Sequence, residues 1–498
     1  MHENNIFTIL RGFSRKELKR LELFLNSPYH NKSEKILKLF YEIKKYHPKY
    51  TSDDLTNEYL SRRINPGLKY NDATMRSLLS VLFVCIEEFI CLEEINKTYP
   101  EKEIFLLRSF VQKRHDFNFN KHLGKLERHL AKEGVDSDFL YIKSLIEMNK
   151  FNFNLSNYRQ KTSLSIENNN QILISYVICI INYFVAELIN SYIKTIIIET
   201  KFNSDFDSNI PLKIIKSINL NEIFKTLKIA DKNNCILEIY LNLFYAFQNP
   251  YDASHYSKYK ALVLKNSKYL SPDEISFHFS MLIDWCMLNN TLPKSNFSSD
   301  NELFRVYKIF LKNKFFIDKK SKYIDEDLYR NILLIALRLK KYNWILNFIE
   351  SYSKYLHPDK KNNLVNMSYA EYYYQAGSSK KSVKILNKAF NYLTKLQEES
   401  FIIKYSIKSL YIMLYYDLKY FDKIIFQIVN YRKFLKRNEL VTEIRKKKID
   451  VFLNIIEKLV YIREGNPQFD ISDLQAEVAI NKDIDHRDWL LKKIEEIV

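Results

Sequence analysis

Six glycines in 498 residues constrain this chain more than any other feature. That is about 1%, against a usual ~7%. Sheets need glycine for hairpin turns and bulges, and phosphate-cradling loops need it where backbone approaches a ligand. Helical hairpins can turn on Asn, Ser, Asp or Lys instead. Ten prolines, nearly all between periodic segments, complete an all-α expectation. Apolar residues make up 46% of the chain and charged residues 27%, the balance of a folded protein rather than a disordered one. The length suits about three domains or one elongated array.

Apolar spacing of three and four predicts helices throughout. Over residues 1–100 it predicts an N-terminal helical domain. Ser14 and Glu17 form a capping box, and Leu18, Leu21 and Leu25 line the helix behind it, which stops at Asn26-Ser27-Pro28. A second helix follows Ser33 with Ile36, Leu37, Phe40 and Ile43. A third starts at Thr51 or Ser52 and closes at Asn65-Pro66-Gly67. Asn71 caps a long fourth carrying Met75, Leu78, Leu82, Cys85, Phe89 and Leu92. Arg15, Lys16, Lys19, Arg20, Arg62 and Arg63 raise a helix-turn-helix reading, but no helix joins a basic face to base-reading Asn, Gln or Arg. A capping domain is the better expectation.

Residues 101–291 read as a helical-hairpin array. Its best local signal is Ser271-Pro272-Asp273-Glu274, an N-cap, a first-turn proline and a capping-box glutamate ahead of Ile275, Phe279, Ile283 and Cys286. Leu292–Asn301 reads as a linker, repeats follow over 302–437, and capping helices over 438–498. The latter run from Val441 to Ile462 and from Asp488 to Ile497, the last closing the exposed end of the array. Arg445-Lys446-Lys447-Lys448 is a basic site or, more simply, a solvated turn.

The N-terminus lacks an apolar leader segment, and cytoplasmic placement is expected. Ile172–Ile189 is long enough to test as a membrane span, but Asn182 and Glu187 interrupt it. A helix buried on all sides is the preferred reading, with no membrane partner. Cys85, Cys91, Cys179, Cys235 and Cys286 are odd in number, form no CxxC, and read as reduced core residues. His115, His122 and His129 recur every seven residues, which separates neighbours by about 10 Å on a helix, too far for one metal. They read as a solvated face, and His278 as a core residue. Lys and Arg exceed Asp and Glu by 77 to 59, a net charge of +18. An anionic partner such as nucleic acid fits that balance. The cations are spread along the chain, however, so lysine-rich composition explains them more simply.

The stretch Asn363–Phe390 reads as two antiparallel helices joined by a tight turn at Gly377. Aligned on their turns, Lys340, Gly377 and Lys419 stand 37 and then 42 residues apart. Here the chain resembles the tetratricopeptide repeat family. Ala370 stands at that family's small residue in the first helix, Tyr373 at its aromatic, Gly377 at its turn glycine and Ala389 at its later small residue. Ser382 and Leu386 replace an alanine and an aromatic. Ala336, Ile345 and Tyr352, then Tyr415, Ile424 and Tyr431, mark weaker units over Ile324–Arg437. The whole chain is also similar to an uncharacterised bacterial helical-repeat family, through FSRKELKRLELFLNSPY, KYNDATMRSLLS, LRLKKYNWILNFIESY and RDWLLKKIEEI. That second resemblance implies fold and no activity.

Together these resemblances imply an all-α, right-handed α-solenoid of stacked helical hairpins with an N-terminal helical capping domain. They also imply a groove lined by first helices that takes a protein or peptide segment. Its positions are Arg330, Asn331, Leu334 and Arg338 in the first unit, Met367, Glu371 and Tyr374 in the second, and Ser409, Met413 and Tyr416 in the third. Glu371 and Met413 stand where the family's carboxylate clamp has asparagine, so a clamp for a C-terminal carboxylate is not expected. No nucleophile elbow, metalloprotease motif or phosphate loop is present, and no cofactor or metal is expected. Glu87-Glu88 and Glu93-Glu94 read as solvent-facing pairs. A non-enzymatic scaffold for protein–protein interaction is the leading expectation, and a nucleic-acid-associated regulator using a basic surface is the alternative.

Overall fold

The computed structural model describes residues 2–51, 55–156, 163–202, 209–230, 235–291, 297–317, 322–396, 401–438, 443–465, 468–481 and 484–497. Among them the regular elements are all helical, as the scarcity of glycine requires. They run α1 His2–Arg11, α2 Arg15–Asn26, α3 Glu34–Lys44, α4 Asn57–Ile64, α5 Asp72–Lys97, α6 Tyr99–Lys113, α7 Asp116–Leu130, α8 Ser137–Ser156 and α9 Ser163–Phe202. There follow α10 Ile210–Ser217, α11 Leu220–Ala230, α12 Cys235–Gln248, α13 Ala253–Asn266, α14 Pro272–Thr291, α15 Ser299–Lys312, α16 Glu326–Arg338 and α17 Tyr342–Tyr352. The last are α18 Pro358–Lys380, α19 Val383–Leu393, α20 Phe401–Asp417, α21 Phe421–Arg437, α22 Glu443–Arg463, α23 Ile471–Ile480 and α24 Arg487–Glu495. Two compact units result, Met1–Phe184 and Val185–Val498, and the division falls inside α9, within the stretch expected to be a single array.

In the first unit, α1 to α5 enclose one apolar core. The Ser14 and Glu17 side chains both make their capping bonds, and Leu18, Leu21 and Leu25 point inward. Ile36, Phe40 and Ile43 of α3 and Met75, Leu82, Cys85 and Phe89 of α5 join them. Helix α1 was not apparent from the sequence, yet Ile6 and Leu10, one turn apart, are fully buried in this core. On α5 the inward stripe takes Leu79 and Ile86, and leaves Leu92 39% exposed. Thr56, not Thr51, caps α4 through a bond from the Tyr59 amide, and Ser52 lies outside the described residues. A smaller core gathers Ile104, Leu107, Phe119, Leu126 and Ile146 from α6, α7 and α8.

Several other expectations need correction. Cys91 is exposed and Cys235 half-buried, while Cys85, Cys179 and Cys286 are core residues as expected. His122 is not solvated: its Nδ1 lies 2.6 Å from Glu103 Oε2, and His129 meets the Tyr99 ring edge-on at 4.8 Å. Helix α9 is not buried on all sides. It is long and apolar enough to cross a membrane, but only 33% of that window is buried, and Ile174, Val177 and Phe184 are exposed. Arg445–Lys448 lies within α22 rather than in a turn, with Arg445 paired to Asp485 at 3.0 Å and Lys446 to Glu443 at 2.7 Å. Residues 292–296 of the expected linker and Val441 at the expected start of α22 lie outside the described residues.

In the second unit, helical hairpins pack in sequence: α12 on α13, α14 on α15, α16 on α17, α18 on α19 and α20 on α21. First helices also meet one another, α16 on α18 and α18 on α20. The α16–α17, α18–α19 and α20–α21 turns, and the chain just after α15, share one device. Lys314, Lys340, Lys381 and Lys419 all adopt positive φ, near 50–65°. At each, the lysine N–H donates to the carbonyl three residues back, and the next N–H reaches the carbonyl five back. At Lys381 these bonds are Lys381 to Ser378 at 3.4 Å and Ser382 to Gly377 at 2.9 Å. Two bonds of this pattern satisfy carbonyls that a helix end leaves free. Glycine is the usual residue there, because a side chain in the left-handed region costs about 1–2 kcal/mol. This chain uses lysine, whose charge suits the negative end of the helix dipole.

That device relocates the turn expected at Gly377. Helix α18 continues through Gly377 to Lys380 and turns at Lys381, so the repeating turns at Lys340, Lys381 and Lys419 stand 41 and 38 residues apart. Gly377 has another purpose. A Cβ there would lie 3.0 Å from the Leu386 backbone nitrogen and from two of its side-chain carbons. The residue lets α18 and α19 cross closely. Ala370 and Ala389, both fully buried, serve the same crossing, and Tyr369 and Tyr373 stack on Tyr392 at 5.0 and 5.6 Å beside it.

Candidate functional site

The first helices of three successive hairpins build the candidate site. Its centre is Arg330 on α16, Glu371 on α18 and Ser406 on α20. Arg330 donates from Nη2 to Ser406 Oγ at 2.9 Å, which links the first and third of these hairpins directly. Glu371 keeps some contact with solvent, yet protein surrounds it closely. Desolvation there pushes its pKa up to about 7, opposed by the charge of Arg330. Such a carboxyl exchanges its proton near neutrality and can switch between accepting and donating a hydrogen bond.

The sequence-derived positions divide sharply by exposure. Arg330, Asn331 and Glu371 are half-buried, Leu334 is 39% exposed one turn from Arg330, and Arg338 is exposed while bonded to Asp300 on α15 at 2.9 Å. These five form the accessible part. Met367, Tyr374, Ser409, Met413 and Tyr416 are between 1% and 6% exposed. As placed, they pack against the chain itself and present no surface to a partner. A register taken from another family puts them on the groove, whereas the stripe of α18 that carries Met367, Ala370, Tyr374 and Gly377 faces neighbouring helices.

Two of those buried residues take part in a cluster that sequence reasoning did not foresee. Asp417 at the end of α20 pairs with Lys493 of α24 at 2.6 Å, and each side chain is 5% exposed. Burial opposes the lysine's charge, but Asp417 and Glu496 outweigh it and raise its pKa. Around the pair, the Tyr374 and Tyr416 hydroxyls, Asp417 Oδ2 and Trp489 Nε1 are buried without a well-formed hydrogen bond. Tyr374 lies close enough to Asp417 and Trp489 to feel both, and desolvation drives its pKa far upward. Lys381, in the α18–α19 turn, approaches Glu496 at 3.8 Å. This cluster ties α24 to α18 and α20.

A second buried network joins α12, α13 and α14. Glu274 Oε1 accepts from the Tyr240 hydroxyl at 2.8 Å and lies 3.2 Å from His278 Nε2, while the Tyr259 hydroxyl meets His278 Nδ1 at 2.8 Å. Ser271 caps α14 through the Glu274 amide at 3.1 Å, but the Glu274 carboxylate turns to this network instead of completing the capping box. His278 is fully buried, as expected for a core residue. In the next layer Glu302 binds Tyr256 at 3.2 Å and pairs with Lys260, and Cys286 is 3.3 Å from the Tyr256 hydroxyl. Burial pushes the Cys286 thiol up to about 12, the reverse of an activated nucleophile.

Among the described residues no three His, Cys, Asp or Glu side chains come together as metal ligands. Glu87 and Glu88 face solvent as expected, while Glu93 pairs with Arg20 at 2.6 Å. Fold and site together define an all-α chain of packed helical hairpins in which Arg330, Glu371 and Ser406 come together on first helices. No protein-family model, curated protein or solved structure matches it.

Proposed function

We propose that the chain is a non-enzymatic scaffold that binds a segment of another protein in the groove around Arg330, Leu334 and Glu371. In this reading the hairpins form a right-handed, tetratricopeptide-like solenoid, closed at one end by α24. The observation that carries it is the bond from Arg330 across to Ser406, with Glu371 half-enclosed beside it. A concave face offering an apolar side chain, a guanidinium and a titratable carboxyl suits an extended peptide or partner helix, whose own amides and charges need such partners. The buried networks of α12 to α15 and of α24 support the reading differently. Buried polar pairs inside a stack, such as Asp417–Lys493 and Tyr240–Glu274, favour the helix faces on which they meet, and so help hold a groove in shape.

Panning a random peptide library over the full-length protein tests this. Enriched sequences are expected to lose binding to Arg330→Glu and Leu334→Asp and to keep it with Val383→Asp, a change at an exposed site on the second helix of a hairpin. Absence of enrichment, or equal loss with Val383→Asp, contradicts the proposal.

A further inference from the structure

The first unit carries a feature the groove does not use. On α7, Phe117, Lys121, Lys125, Arg128 and Lys132, the last just past its end, recur at intervals of four, four, three and four residues. At about 100° per residue these side chains fall within a stripe about 80° wide. All five are exposed, Phe117 at 79%. The four cations meet no carboxylate among the described residues, and Arg128 folds back only to donate from Nε to the Gly124 carbonyl at 2.9 Å. Neighbouring acids are engaged elsewhere: Glu127 pairs with Lys150 at 2.6 Å, and Glu133 approaches His129 at 3.9 Å. Beside the stripe opens a cleft of about 740 Å³ lined by Tyr99, Lys125, Arg128, His129 and Lys132.

We infer that this face binds single-stranded nucleic acid. Helical rise sets the four cations about 4.5–6 Å apart along α7, a spacing that follows successive phosphates of an extended strand. Exposed Phe117 at one end, and the Tyr99–His129 edge beside the other, are platforms on which unpaired bases stack. A duplex hides its bases and has no use for those rings. Four unpaired cations on one helix face repel one another, which a polyanion relieves by releasing its own counterions on binding. The net charge of +18 sets the sign of the whole chain; on the α7 stripe exposed cations that pair with no carboxylate among the described residues coincide with aromatic rings.

Fluorescence anisotropy with a labelled single-stranded oligonucleotide, its duplex, and phosphatidylserine–phosphatidylcholine vesicles tests the inference on full-length protein. Four phosphate contacts predict a salt slope of about −3 for a single strand, or about fifty-fold weaker binding between 50 and 200 mM salt. Lys125→Glu/Arg128→Glu is expected to weaken binding more than tenfold and to halve the slope. Phe117→Ala, which removes no core side chain, is expected to weaken it about tenfold with the slope unchanged. The charge-matched pair Lys16→Glu/Lys35→Glu, elsewhere on the unit, is expected to change little. The inference is overturned by no binding at 50 mM salt, by a duplex bound as tightly as the strand, by equal loss with the control pair, or by binding to vesicles alone.

Discussion

The core of residues 1–100 and the hairpins of the second unit use opposite chemistry to fix their helices. Around Ile6, Leu21, Phe40 and Leu82 the buried side chains are almost all apolar, Tyr50 being the exception, and no charged side chain is buried there among the described residues. In the second unit Glu274, His278, Asn289, Glu302, Ser368 and Lys493 are buried between hairpins. A closed core has one way to collapse, so apolar shape suffices to specify it. Stacked hairpins present similar apolar faces that can slide or pair out of order. A polar group that is satisfied in only one register penalises every other arrangement. The hairpins of the second unit therefore accept buried charge where the core of residues 1–100 does not.

The largest effects should come from breaking that contrast. Asp417→Ala leaves Lys493 buried with only the more exposed Glu496 opposite it, at 3.1 Å, and is expected to destabilise the second unit by about 3 kcal/mol, read as a lower urea midpoint. Asp417→Leu with Lys493→Met removes both charges and should recover most of that loss, while leaving α24 less firmly registered, with faster amide exchange in Arg487–Glu495. Phe40→Ala in the first core is expected to cost about 3–5 kcal/mol through a cavity. A loss in the double variant as large as in the single one would show that the pair stabilises rather than specifies.

Gly377→Ala comes next. The added methyl meets the Leu386 backbone at 3.0 Å and should cost about 1–3 kcal/mol despite alanine's better helix propensity. A stabilised variant would mean that Gly377 is merely tolerated within α18.

A smaller, pH-dependent effect belongs to Glu371. Its folded pKa of about 7 lies above the ordinary 4.5, because burial disfavours the carboxylate. The folded state therefore holds the proton more tightly, and the stability this confers is complete below pH 4.5 and lost as pH rises through 7. The urea midpoint should be higher at pH 5.5 than at pH 8, with the gap narrowed in Glu371→Gln. An unchanged gap would place the titration elsewhere. Smallest of all, Lys381→Gly removes a left-handed side chain and should stabilise by less than about 1 kcal/mol, the glycine's greater freedom in the unfolded chain offsetting part of the gain.

These contrasts also explain what could be read from the sequence. All-helical structure followed from glycine scarcity, and the capping signals at Ser14, Asn71 and Ser271 each made their hydrogen bonds. The hairpin turns were partly legible. Lys340 and Lys419 were placed correctly, but Gly377 drew attention from Lys381, because glycine signals a turn in most chains and here serves a helix crossing. The groove was legible only at its edge. Sequence spacing puts Arg330 and Leu334 on one face of α16, but it does not say which face of α18 its neighbours cover. Met367 and Tyr374 were therefore counted on the groove although both are buried against the chain itself. The Asp417–Lys493 pair joins residues far apart in the chain, and no local pattern announces it.

The most direct test of the groove is site-specific photo-crosslinking in living cells from position Leu334, with Val383 as the control on a second helix. A discrete crosslinked protein is expected from position 334 that disappears when Arg330→Glu is added and is absent from position 383. Equal products from both positions, or none from 334 under conditions where the full-length chain is folded, would contradict it.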